Sequence, residues 1–266
     1  MNQETSQAFM PSDSNRISKT SLRVIKALEV VTGHQEPISA TQLADRMGVN
    51  RISAYRALMT LVESGFLVPS DRPRHYQASY RLLALTRCLS LSERSTDVIQ
   101  DVLRTVTSET QAGCYFCVLE GDRIIAIQHE CADGDDTLPF EIGELVEAAP
   151  TAIGRAILAF QPKTRVAALF NQGLVQHTEQ TLTDPSDLTR ELADVREAGF
   201  AVTDRQYHDD LRCLAVPVLG HCADRPTGLT IHCQCSQFSI STLRDHSKIL
   251  LEQSQRLAAE LSDLSH

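Results

Sequence analysis

The chain has 266 residues, 42% hydrophobic and 22% charged, with a formal net charge of −9; that is one large domain or two ordinary ones, and neither a collagen-like nor a wholly disordered chain. No apolar run approaches the roughly 20 residues of a membrane helix, and the opening MNQETSQAFMPSDSNR lacks the basic-then-apolar layout of a secretory signal. Charge is unevenly shared: residues 1–83 hold ten Lys+Arg against seven Asp+Glu and residues 84–266 fifteen against twenty-seven, so contact with nucleic acid is expected in the first third alone.

Residues 1–16 are polar and read as a flexible tail. Leu22, Ile25, Leu28 and Val31 then recur three apart, a helical stripe that ends at Gly33. Ser39 followed by Gln42 has capping-box spacing and opens a short helix through Met47, which Gly48 breaks. Asn50 can cap the next helix, whose Ala54, Ala57, Leu58 and Leu61 share one face. Phe66–Val68 and His75–Ala78 are short strands around the turn Pro69–Pro73. Tyr80 to Leu91 is helical again and bridges the two charge regimes.

Beyond it the spacing predicts a helix over Asp97–Ser108, carrying Val98, Val102 and Val106. A hairpin follows, Cys114–Leu119 and Arg123–Gln128 around Glu120-Gly121-Asp122. Residues 131–138 form a polar loop. Helices are expected at Thr151–Ala159 and at Asp184–Ala198, the latter closed by Gly199. Strands are expected at Phe200–Thr203, Arg212–Val218 and Thr227–Cys233. A last amphipathic helix carries Leu243, Ile249, Leu250, Leu257 and Leu261. The expected class is α+β, divided as tail 1–16, first domain 17–79, linker helix 80–91 and second domain 92–266.

Two short helices joined by a glycine turn, followed by a basic hairpin, match the winged helix-turn-helix plan. With Ala54, Ala57, Leu58 and Leu61 inward, Asn50, Arg51, Ser53, Tyr55 and Arg56 lie at the start and on the open faces of the second helix. Arginine there can pair bidentately with guanine in the major groove. Arg72 and Arg74 at the hairpin tip suit contact with phosphates or the minor groove. Taken alone, two arginines on an exposed helix are equally a solvated face; the ordered set of helices and hairpin is more specific.

The run PISATQLADRMGVNRISAYRALMTLVESGFLV resembles the N-terminal domain of IclR-type bacterial transcriptional regulators, and the likeness continues in PTAIGRAILAF and GFAVTDRQYHDDLRCLAVPV. The resemblance implies a winged-helix domain, a linker helix used in dimerisation, and an α+β effector domain of GAF- or profilin-like fold. It implies a double-stranded DNA operator and a homodimer that can pair into a dimer of dimers. It also places effector contacts on Ala152, Ile153, Thr203, Asp204, Cys213, Thr230 and His232. This chain departs from the family pattern at Arg205-Gln206 and Asp210, and in carrying His232 where a small hydroxyl residue is common.

A small organic acid is the expected effector, a mono-carboxylate or a hydroxylated aromatic acid held by the start of the Thr151–Ala159 helix, Thr203, Thr230 and His232. Asp204 argues against a di-anion. The alternative is a thiol- or metal-based redox-sensing regulator, suggested by the cysteines. Cys114 and Cys117, however, lie three apart in an expected strand and point to opposite faces. Without an export signal the eight cysteines read as reduced thiols of a cytoplasmic protein. Gly-x-Ser-x-Gly, a phosphate-binding glycine loop and His-Glu-x-x-His are all missing from the sequence, so no enzyme, metal, cofactor or membrane partner is expected.

Overall fold

The computed structural model describes residues 17–34, 36–86, 92–132, 138–170, 173–220 and 225–264. The expected tail, positions 87–91 of the bridging helix and most of the 131–138 loop lie outside these residues. The chain divides into two compact units, Met1–Ser90 and Leu91–His266.

In the first unit, α1 (Lys19–Thr32) begins where the Ser18 hydroxyl accepts from the Ser21 N–H, three residues before the apolar stripe starts. A two-residue strand β1 (Ile38–Ser39), too short to leave a pattern, precedes α2 (Ala40–Met47). Both halves of the capping box form: the Ser39 N–H donates to Gln42 Oε1 at 2.9 Å and the Gln42 N–H to Ser39 Oγ at 3.4 Å. Gly48, at φ 63°, ends α2 in the left-handed region that a side chain disfavours. Asn50 Oδ1 accepts from the Ser53 N–H at 2.8 Å and opens α3 (Arg51–Glu63).

Strands β2 (Leu67–Pro69) and β3 (His75–Ala78) follow, then helix α4 (Arg81–Thr86). The sheet runs β1-β3-β2, antiparallel throughout. Ala54, Ala57, Leu58 and Leu61 are buried against Ala27, Val31 and Leu43. Arg81 donates to the Ser64 carbonyl at 2.7 Å and lies over the Phe66 ring, which ties the start of α4 to the end of α3.

The second unit opens with α5 (Glu93–Thr110), longer than expected because Ser92 supplies its cap. Its buried face is Ile99, Val102, Leu103 and Val106, while the expected Val98 is only partly covered. Next come β4 (Gly113–Glu120), β5 (Arg123–Glu130) and β6 (Leu145–Glu147). Helices α6 (Ala152–Leu158), α7 (Lys163–Phe170) and α8 (Pro185–Ala198) follow. Strands β7 (Ala201–Asp204), β8 (Leu211–Val218) and β9 (Thr227–Gln234) complete the sheet. Neither β6 nor α7 is predicted by the sequence pattern. The single terminal helix is instead two, α9 (Ile240–Asp245) and α10 (Ser247–Asp263), meeting at His246.

One antiparallel sheet, ordered β6-β5-β4-β9-β8-β7, separates two apolar cores. Alternation along β4 assigns Tyr115, Cys117 and Leu119 to the core shared with α6 and α8. Cys114 and Phe116 belong to the core shared with α5 and α10. Gly154 lets α6 seat closely, since a Cβ there would lie 1.9 Å from the Ala148 carbonyl oxygen. The class is therefore α+β.

Candidate DNA-reading surface and effector cavity

In the first unit the N-terminal end of α3 and the β2–β3 hairpin edge one concave surface, lined by Ser39–Thr41, Arg51, Ile52, Tyr55 and Pro73–Tyr76. Arg51, Tyr55 and Arg56 are exposed and Ser53 is half-buried. Among the described residues, Arg51, Arg56 and Arg74 make no ion pair. Arg72 does: its Nη1 lies 3.0 Å from Glu36 Oε2, with both side chains mostly exposed. Asn50 uses its side-chain oxygen on the helix cap. Arg74 sits at φ 61°, in the left-handed region where glycine is favoured.

In the second unit, sheet register assembles a second concavity. Thr203 pairs with Cys213, Cys213 with His232, and His232 with Gly113. Alongside that row, Ala201, Ala215, Thr230 and Tyr115 pair in the same order. Gly113 makes room for the imidazole, since a Cβ there would lie 2.3 Å from His232 Cε1. Over these rows the start of α6, Pro139-Phe140 and Tyr207-His208 close a cavity.

Six of the seven expected effector residues line it: Ala152, Ile153, Thr203, Cys213, Thr230 and His232. Asp204 is not among the lining residues. It follows Thr203 on β7 and so points to the other face, where Arg212 Nε donates to its Oδ1 at 2.8 Å. That alternation was available in the sequence. Tyr115, Phe140, Tyr207 and His208 also line the cavity and escape sequence reasoning, because they come from one strand and two loops far apart in the chain.

The polar chemistry of the cavity is specific. The Thr230 hydroxyl donates to the Leu214 carbonyl at 3.1 Å, which leaves it to act as an acceptor. Thr151 donates to the Ala148 carbonyl and caps α6 by accepting from the Gly154 N–H at 3.1 Å. The Ala152 and Ile153 N–H groups carry no hydrogen bond among the described residues, as expected of the first turn of a helix. Tyr115 donates to the Phe140 carbonyl at 2.9 Å, and His208 Nε2 donates to the Pro139 carbonyl at 3.3 Å. Free space in the cavity is about 20 Å³, room for roughly one water, whereas a cavity of about 150 Å³ takes benzene. The cover is closed.

Burial pushes the thiols of Cys114, Cys117 and Cys213 up, Cys213 to about 12, and a protonated thiol is a poor nucleophile and ligand. Cys114 and Cys117 belong to opposite cores. Among the described residues no group of three His, Cys, Asp or Glu side chains could hold a metal ion, and no helix is long and apolar enough to cross a membrane.

A helix-turn-helix with exposed arginines on its second helix, followed in the chain by a sheet-built effector-type domain, defines a DNA-binding transcriptional regulator. The chain belongs to the IclR family: residues 22–71 match the IclR helix-turn-helix domain and residues 93–259 the bacterial transcriptional regulator IclR C-terminal domain. It is 26% identical over 245 residues to the HTH-type transcriptional regulator KdgR of Escherichia coli K12, covering 90% of this chain and 91% of that one. It is 26% identical over 211 residues to the p-hydroxybenzoate hydroxylase transcriptional activator of Acinetobacter baylyi, covering 77% and 75%. Among solved structures, an IclR homologue complexed with 4-hydroxybenzoate from Microbacterium hydrocarbonoxydans shares the fold with a TM-score of 0.75 at 18% identity, covering 92% of this chain and 100% of that one.

Proposed function

We propose that this regulator binds its operator through α3 and the β2–β3 wing, and that a small organic acid in the cavity of the second unit changes operator affinity. One observation carries the effector reading: Ala152, Ile153, Thr203, Cys213, Thr230 and His232, drawn from α6, β7, β8 and β9, converge on one cavity. The open N–H groups at the start of α6 and the His232 imidazole suit one carboxylate. The rings of Tyr115, Phe140 and Tyr207 suit a flat apolar body. Since the closed cavity has about 20 Å³ free, a mono-carboxylate or hydroxylated aromatic acid must displace the cover. That displacement is the differential contact allosteric coupling requires, typically about 1–3 kcal/mol. The 4-hydroxybenzoate-bound homologue supports the class of ligand.

Residues 17–79 then read DNA, 80–91 join the domains, and 92–266 bind the effector. Arg51, Arg56, Ser53 and Tyr55 face bases, Asn50 sets the start of the helix, and Arg72 and Arg74 meet phosphate. A position that favours glycine yet holds Arg74 is consistent with a side chain kept for contact. The protein acts in the cytoplasm as a homodimer, able to form a dimer of dimers, on half-sites about one helical turn apart or a multiple of it. Leu22 and Ile25 of α1, Tyr80 just before α4, and Leu83 and Leu85 within α4 are exposed, apolar surface that a second copy would cover. The thiol or metal redox reading has the buried, raised thiols of Cys114 and Cys117 against it.

Calorimetry with 4-hydroxybenzoate and a panel of small mono-carboxylates on the full chain tests the cavity. Binding by wild type that His232→Ala and Thr230→Val weaken is the expected result, and equal affinity in all three overturns it. For the operator, Arg51→Ala and Arg56→Ala should each cost on the order of 1–3 kcal/mol. Unchanged footprints for both refute the reading helix.

A further inference from the structure

Ile52 lies in the first turn of α3 and is 67% exposed. Its neighbours on the inward face, Ala54, Ala57 and Leu58, form the core of the unit, and Ile52 has no part in it. A β-branched side chain at an exposed helical position gains nothing from packing and is a poorer helix former than alanine or a charged residue. It contributes nothing visible to the free protein. Yet it sits beside Arg51, and Tyr55 and Arg56 follow it by three and four residues, so all share the outward face. Ile52 also lines the concavity between α3 and the wing.

We propose that Ile52 is a base-reading residue that packs against the C5-methyl group of an operator thymine. The inference rests on α3 being the reading helix. In the major groove thymine alone carries a methyl group among the four bases, and an apolar side chain distinguishes it by burying it. Ile52 and Arg56 are separated by four residues, about 6 Å along the helix, against a base-pair rise of about 3.4 Å. The thymine therefore lies within about two base pairs of a guanine held by Arg56. The free protein leaves the isoleucine wet, and the bound complex dries it together with the methyl group. Each methyl group buried strengthens binding about fourfold. Serine or alanine at this position keeps the helix and loses the discrimination.

The probe is a duplex selected by the full-length wild-type protein from a random-sequence pool, with each thymine replaced singly by deoxyuridine, which removes only the C5-methyl group. Fluorescence anisotropy should show about a fourfold loss at one thymine per half-site for wild type. Ile52→Ala and Ile52→Ser should bind the parent duplex more weakly and be indifferent to that replacement. Because Ile52 is exposed, circular dichroism of both variants should match wild type. No sensitive thymine for wild type, or the same sensitivity retained in Ile52→Ala, overturns the inference. The failure of the wider reading looks different: there Arg56→Ala leaves affinity unchanged as well. If Arg56→Ala abolishes binding while deoxyuridine has no effect anywhere, only the assignment of Ile52 fails.

Discussion

The Tyr115 hydroxyl donates to the Phe140 carbonyl at 2.9 Å while the two rings stack with centroids 4.7 Å apart. Tyr115 belongs to the sheet floor of the cavity and Phe140 to its cover, so the same two residues join floor and cover by a polar and an apolar contact at once. Any ligand larger than the free space present must part them or move them together.

Tyr115→Phe keeps the stacked ring and removes the donor, leaving the buried Phe140 carbonyl without it. The second unit should lose about 1–3 kcal/mol of stability. Native-state hydrogen exchange over Gly113–Glu120 reads that loss directly, and unchanged protection there would show that the contact holds nothing.

Asp204 and Arg212 provide a contrast. Arg212 donates to Asp204 through Nε and to the Cys235 and Phe238 carbonyls, at 3.0 and 2.7 Å, through Nη1. Asp204→Asn should leave effector affinity unchanged, because the carboxylate faces away from the cavity. Arg212→Ala should lower the thermal midpoint, because it frees two carbonyls together. A marked loss of effector binding in Asp204→Asn, measured by calorimetry, would return Asp204 to the site.

Glu36 competes for the wing. It holds Arg72 at 3.0 Å in an exposed pair, worth only about 0–1 kcal/mol in the free protein and therefore easily traded for a phosphate. Glu36→Gln should raise operator affinity. Arg72→Ala should lower it for every sequence and reduce the slope of affinity against salt by about 1. A salt slope that stays fixed in Arg72→Ala removes this residue from the DNA contact.

Cys213 is partly buried and should react slowly in the folded chain. Burial, with Cys233 close by, pushes its thiol up to about 12, while in the unfolded chain it titrates at about 8.5. Between those values the unfolded chain has lost a proton that the folded chain keeps. The contribution of this group to stability is therefore whole below the lower value and declines as pH rises through the window. Iodoacetamide at pH 8 should modify Cys213 far more slowly in native protein than in urea; peptide mapping that finds the same rate in both states contradicts the raised thiol.

Local signals were legible without a structure. The Ser39–Gln42 capping box, the Asn50 cap and the inward set Ala54, Ala57, Leu58 and Leu61 all stand where their spacing places them. These features are decided by residues at most seven apart, within one helix, so periodicity and capping chemistry suffice. Charge likewise pointed to the first third as the part that meets DNA. Beyond that range the reading thinned. Strand β6 is three residues long and β1 two, too short for alternation to show. Ile52 is exposed, which spacing alone does not show because an apolar residue at the edge of a helical stripe is buried or exposed according to what packs beside it.

Tertiary structure alone decided the cavity. His232 reaches its place because β9 lies between β8 and β4, which sets Cys213 on one side and Gly113 on the other. Those partners are separated by 19 and 119 positions in the chain, and register between such distant strands is chosen by the burial of whole faces rather than by any local spacing. Tyr207 and Phe140 come to the same mouth from loops far apart in sequence. One-residue alternation could have removed Asp204 from the site, but only the packed sheet shows which of its two faces closes over a cavity, since both are apolar and both are covered by helices.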